Sequence, residues 1–325
     1  MSNSFASSAL VFDPSPFDPA NASADALAVN AAILKRLENW DNWTRPPAVI
    51  REMRREGRGA FPAPILSPRA TTLTIEGRHG PIGLRIIAPA DPKGVYLHIH
   101  GGGWVLGTAD GQDAWLERFA DRAGMACVSV DYRLAPEFPY PHGPDDCEDA
   151  ALWIAREAKA RFGTDRLVIG GESAGAHLSA VTLLRLRDRH GIMPFRGANL
   201  HAGCYDLAMT PSARRWGTEK LVLTTRDIEM FVRHFLLRGG DVRDPDISPI
   251  HADLKGLPPA LFTVGTRDLL ADDSLFMAQR WAAAGNGAEL EAYPAGCHVF
   301  IGFPGTNTDR CMARIEAFMA AACAD

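Results

Sequence analysis

The sequence predicts an α/β fold, a mainly parallel sheet of eight strands with helices packed on both faces. Two observations carry this. From residue 71 onward, short apolar or β-branched runs alternate with helical stretches, the pattern of a parallel sheet covered on both sides. Hydrophobic residues make up 46% and charged residues 22% of the 325, so a large core is available and no disulfide or metal staple is required.

The elements follow in chain order. Residues 1–20 are rich in Ser, Pro and Asp and read as a loosely held arm. Residues 23–40 read as a helix, with Ser23 or Asp25 able to cap its start and Leu27, Ile33, Leu34 and Leu37 near one face. Pro46 and Pro47 break the chain and suit the first turn of a short basic helix at 49–55. This section closes near Pro68. Two alternating strands follow, TTLTIEG and IGLRIIAP, with a turn at His79 and Gly80. Six further runs, at 95–100, 125–130, 166–169, 198–204, 260–264 and 289–293, complete the eight. Helices are expected at 111–123, 144–162, 174–190, 272–285 and 308–323. Residues 207–247 interrupt the rhythm, and an insertion of that length between strands reads as a lid or pocket wall.

Charge and cysteine usage exclude several classes. Lys plus Arg total 34 against 39 Asp plus Glu, a net charge of -5. A nucleic-acid partner is excluded on that balance, since phosphate binding needs a basic excess. The six Cys are scattered with no C-x-x-C pair, which argues for reduced thiols in a cytoplasmic protein. No stretch approaches the ~18 apolar residues of a membrane span, and the N-terminus shows no signal-peptide pattern. No metal or cofactor is expected: the His98/His100 pair alternates on one strand, but no third ligand is suggested nearby.

Gly171-Glu172-Ser173-Ala174-Gly175 is G-x-S-x-G between the strand RLVIG and a helical run. In that context it describes a tight turn that lifts a Ser hydroxyl above the sheet. The glycines are needed because a Cβ would collide with neighbouring backbone. His100-Gly101-Gly102-Gly103 ends another strand. Successive glycines let backbone N–H groups face a cavity, as acyl transfer requires where negative charge develops on a carbonyl oxygen. Gly102, Gly103 and Ala174 are the expected donors, and His100 orders the loop. A Ser hydroxyl needs a base. With the order Ser, acid, His, only His298 lies beyond the last strand-terminal acid. His177 lies one turn into the helix after Ser173 and is expected to point away. Asp268, just past the strand 260–264, is the expected acid. Asp272 and Asp273, at the start of the next helix, are explained as first-turn caps.

The 100–103 loop, Asp131-Tyr132-Arg133-Leu134-Ala135-Pro136-Glu137, the 171–175 turn, Ser248-Pro249 with Leu257-Pro258-Pro259, and Asp268 with His298 resemble the hormone-sensitive lipase family of α/β-hydrolases. The resemblance runs from about residue 70 to the C-terminus. It implies an α/β-hydrolase carboxylesterase acting on a small-molecule ester, with a helical cap made from residues 1–68 and the insertion at 207–247 over a catalytic domain at 69–325. It also implies a homodimer through the sheet edge or last helix. Departures are Glu172 in the elbow, Asp-Leu-Leu-Ala-Asp-Asp around the acid, and Val299 after the histidine.

Arg133 and Glu137 are expected to pair and buttress the glycine loop. Trp104 serves equally well as pocket wall or packed core ring. Trp40, Trp43 and Trp216 fall in the cap, where plain packing is favoured, with Trp216 the one carried forward as a pocket residue. The chemistry expected is hydrolysis of short-chain carboxylic esters by Ser173, His298 and Asp268. Amides, formamides or lactones could be cut by the same machinery, because specificity sits in the pocket. A ligand receptor on this scaffold would be expected to have lost a triad member, and none is missing.

Overall fold

A computed structural model describes residues 10–324. Eight strands form one sheet in the order β1-β2-β4-β3-β5-β6-β7-β8. They are β1 (Thr71–Gly77), β2 (Gly80–Ile87), β3 (Gly94–Ile99), β4 (Met125–Asp131), β5 (Leu167–Glu172), β6 (Phe195–His201), β7 (Ala260–Arg267) and β8 (Ala288–Cys297). The β1–β2 and β2–β4 pairings are antiparallel, and every pairing from β4 to β8 is parallel. The expected eight-stranded sheet is therefore present. Its parallel strands point their carboxyl ends at one edge, where such sheets place ligands.

Side-chain alternation along each strand divides the core in two. Val95, Leu97 and Ile99 of β3 and Val128 and Val130 of β4 join one cluster. Tyr96 and Cys127, between them, join the other. The first face is covered by α4 (His142–Phe162), α5 (Ala174–His190) and α8 (Ala271–Ala283), the second by α1 (Ala24–Leu37), α3 (Asp113–Ala123) and α9 (Thr306–Ala322). Buried Arg185 of α5 ties Asp145 and Glu148 of α4 to Asp246 at 2.6–3.1 Å. Its guanidinium thus fixes where the 207–247 excursion rejoins the sheet.

Residues 15–21 are less loose than the composition suggested, since two 3-10 turns there lie against β8; residues 1–9 of the arm are outside the described part. The α1 helix is capped by Ser23, whose hydroxyl accepts from the Ala26 N–H, while Asp25 accepts from the Thr306 N–H at 2.7 Å. It packs on β8 and α9 and buries Ile33 and Leu37 in the core. The basic helix α2 (Pro47–Arg55) and the insertion helices α6 (Pro211–Arg215) and α7 (Thr225–Phe235) complete the structure. A capping box closes the start of α7: Thr224 accepts from the Asp227 N–H, and Asp227 accepts from the Thr224 N–H.

Candidate active site

The turn between β5 and α5 carries Ser173 at φ 56°, ψ -121°, a strained conformation for a residue with a side chain. Two close approaches enforce it. A Cβ at Gly171 would lie 1.9 Å, and one at Gly175 1.8 Å, from the Ile99 carbonyl oxygen, so neither position accepts anything larger. The Ser173 N–H donates to the His201 carbonyl at 2.9 Å, which holds the turn against β6.

Three groups from distant parts of the chain meet there. His298 Nε2 lies 2.9 Å from Ser173 Oγ, and its Nδ1 lies 2.9 and 3.0 Å from the two Asp268 oxygens. All three residues are buried. The other histidines have other partners. His177 Nε2 donates to the Ile247 carbonyl at 2.7 Å, and its Nδ1 accepts from the Trp104 indole at 3.1 Å, so it faces away from Ser173 as expected. His201 Nδ1 pairs with the Thr263 hydroxyl at 2.8 Å. Burial pushes the His100 and His201 imidazoles down to about 3 and His177 to about 4.

The glycine loop curls over this group. Gly102 and Gly103 have φ of +103° and +62°, and a Cβ on Gly103 would overlap the Phe231 ring. Their N–H groups have no acceptor among the described residues, and the Ala174 N–H, in the first turn of α5, has none either. Gly102, Gly103, Ala174, Ser173 and His298 all line one cavity of about 440 Å³.

The residue preceding the serine plays a part that the sequence reading missed. Glu172 accepts the Gly101 N–H at 2.6 Å through one oxygen, and its other oxygen lies 3.0 Å from His98 Nε2. His98 in turn meets the Ser129 hydroxyl at 2.9 Å. Glu172 thus joins the serine turn to the glycine loop. Its place inside G-x-S-x-G was the available signal. His100 stacks on Tyr132, whose hydroxyl donates to the His100 carbonyl at 2.9 Å.

Several expectations are corrected. Arg133 does not pair with Glu137: it pairs with Asp146 of α4, and Glu137 pairs with Arg51 of α2. The two charges belong to different interfaces, which spacing along one loop does not reveal. Asp272 and Asp273 do not cap their own helix. Asp272 accepts the Ser212 N–H at 2.8 Å, and Asp273 accepts the Tyr205 and Asp206 N–H groups at 2.6 and 2.9 Å and the Thr210 hydroxyl at 2.6 Å. Both hold the entry to the insertion. Trp216 is not among the residues lining the cavity; its indole donates to the Glu219 carbonyl at 2.9 Å within the cap. Trp104 is both things at once, lining the cavity while stacked on Phe235. Trp40 and Val299 also line it, and Trp43 instead packs on Phe231 and His234. The six cysteines are free and buried, and burial pushes the Cys297 thiol up to about 12, an unreactive state.

A serine on a strained strand-to-helix turn, with a histidine and a carboxylate delivered by later loops of a mostly parallel sheet, defines an α/β-hydrolase. A family model described as the α/β-hydrolase fold matches residues 96–302. The carboxylic ester hydrolase LipN of Mycobacterium tuberculosis is 36% identical over 253 residues, 74% of this chain and 67% of that one. The carboxylesterase NlhH of the same organism is 33% identical over 292 residues, 86% and 84% of the two chains. The solved structure of a hyperthermophilic esterase from Pyrobaculum calidifontis superposes with a TM-score of 0.83 at 29% identity, covering 93% of this chain and 99% of that one. The chain belongs to the hormone-sensitive-lipase-like family of α/β-hydrolases.

Proposed function

We propose that the protein is a serine carboxylesterase for short-chain esters. One observation carries the reading: His298 bridges Ser173 Oγ and Asp268 at hydrogen-bond distance beside three N–H groups without an acceptor among the described residues. Ser173 attacks the ester carbonyl while His298 takes its proton. The N–H groups of Gly102, Gly103 and Ala174 hold the oxyanion, and Asp268 holds the imidazole in the required tautomer and stabilises its charged form. His298 then protonates the leaving alcohol. Water, activated by the same imidazole, attacks the acyl-enzyme and releases the acid.

The short-chain preference is supported by the cavity, about 440 Å³ and roofed by residues from both irregular segments, among them Trp40, Phe61 and Phe231. The cap in this reading is the segment 1–68 with the 207–247 insertion; residues 37–64 are the part of that segment that lines the cavity, and α1 anchors it to β8. LipN and NlhH, named as ester hydrolases, support the same reaction class.

Purified protein assayed with nitrophenyl esters of graded chain length, beside matched amides, tests this. Esters should be cleaved and amides much more slowly. A covalent serine probe should label Ser173, and a folded Ser173→Ala protein should be inert. Faster amide than ester turnover would replace the reading with an amidase.

A further inference from the structure

The cavity above Ser173 is lined by five cationic side chains, and most are already committed. Arg226 meets Asp41 at 2.7 Å. Lys220 donates to the Glu38 and Trp40 carbonyls at 3.0 and 2.9 Å. Arg51 pairs with Glu137 and donates to the Val105 carbonyl. The other two, Arg54 and Arg55 at the end of α2, have no carboxylate within 4.0 Å among the described residues. Among the described residues, the guanidinium of Arg54 makes one hydrogen bond, a long one of 3.5 Å to the Leu106 carbonyl.

Arg54 is accessible to solvent yet surrounded by protein, as befits a side chain in a concavity and not on a convex surface. Burial lowers its guanidinium below the ordinary value, with no acid acting to restore it. Its charge also acts on the His100 imidazole, which places it near the base of the glycine loop. The acids of the cavity do not compensate. Glu172 holds Gly101 and His98, Asp41 holds Arg226, and Asp227 holds the start of α7 and the Trp43 indole. Asp110 accepts the Thr108 hydroxyl at 2.6 Å and acts on Arg85. In a protein of net charge -5, the cavity therefore presents an unneutralised guanidinium.

A solvent-accessible guanidinium set in a cavity wall without a counter-ion favours a planar anion, which it can bind through two N–H groups. We infer that Arg54 receives a carboxylate of the substrate, so that the preferred esters are monoanions: half-esters of dicarboxylic acids or acylated hydroxy acids. Arg55, on the same turn, adds charge without a second fixed contact. The inference rests on the esterase reading and narrows its substrate class. The carboxylate lies on a part of the substrate that does not react, so its contact serves orientation and affinity.

The test uses matched pairs. On the acyl side, the nitrophenyl half-ester of adipic acid is compared with its methyl adipate counterpart. On the alcohol side, O-acetyl lactate is compared with O-acetyl lactamide. The readout is the ratio of kcat/KM, anionic over neutral, corrected for uncatalysed hydrolysis. In the wild type at least one pair should give a ratio above 1, and the pair that does tells which side carries the anion. Arg54→Met should lower that ratio at least tenfold, mainly through KM, and Arg54→Lys should recover part of it. Asp110→Asn should raise it. Added salt should depress the wild-type ratio, which keeps the inference testable even if Arg54→Met does not fold. Wild-type ratios below 1 for both pairs, or a ratio unmoved by Arg54→Met or by salt, would overturn it. No turnover of any ester, neutral or charged, would instead sink the esterase reading itself.

Discussion

Asp268, Asp272 and Asp273 lie almost side by side in the chain, and each has a different task. Asp268 leaves β7 with both oxygens on His298, while the other two face the insertion. Asp268→Asn preserves shape but favours the wrong imidazole tautomer, so kcat should fall by about 10⁴, by analogy with serine proteases. Asp272→Asn should stay within roughly tenfold of wild type, since its contact is an N–H at the edge of the site. Steady-state kinetics on the purified variants separate the roles, and an active Asp268→Asn would return the assignment to its neighbours. Three of the buried histidines around the site do not shape its pH profile. His100, His177 and His201 are held neutral down to about 3 to 4, so none of them changes charge between pH 5 and 8. The base must be neutral to accept the serine proton, so kcat/KM should rise with pH through that range. A falling limb there, in protein shown to remain folded, would contradict His298 as the base.

Among the elements, the insertion is held by buried polar contacts as well as by the apolar face of α7. Asp273 collects three donors from residues 205–210, and burial pushes its carboxyl up to about 7 despite them. The sign follows from linkage. An acid whose folded value exceeds its unfolded one binds more protons when folded, so its contribution to stability is lost as pH rises from about 4 to 7. Asp273→Asn should cost about 1–3 kcal/mol, the scale of a buried donor left unmatched. The gap in melting temperature between wild type and variant should narrow over that pH window; a widening gap would mean that the donors outweigh burial. The N-terminal segment behaves differently from a detachable cap. Because α1 buries Ile33 and Leu37 against β8 and α9, removing residues 1–45 should lower both the melting temperature and ester turnover. Unchanged stability with lost turnover would restore the view of a free-standing lid. No role for the short basic helix at 49–55 was legible in the sequence; its seating above residues 101–107 is what brings Arg54 to the cavity.

For the whole molecule, a cavity of about 440 Å³ bounded by the 37–64 segment and the insertion sets the expected range of substrates. A nitrophenyl butyrate should be cleaved with higher kcat/KM than a palmitate, and a palmitate preference would show that the roof opens far wider than it stands here. The sequence by itself determined the sheet and the reactive turn, for a local reason. Short apolar runs such as VYLHIH and LFTV, alternating with helical stretches, read as buried strands of a parallel sheet, and G-x-S-x-G after a strand has few conformations open to it. The order Ser, Asp, His along the chain also pointed to residues 173, 268 and 298, which the fold then brings within 3.0 Å. Pairings between elements were decided by tertiary structure alone. Arg133 and Glu137 stand close enough in sequence to pair, yet each found a partner on another helix. Trp216 carried the right chemistry for a pocket and was turned into the cap. Asp273 looked like a helix cap and became the anchor of the insertion. The physical reason is the same in each case. A charged or amphipathic side chain takes whichever partner desolvates with it, and that choice depends on how layers stack, a distance that spacing along one chain does not encode.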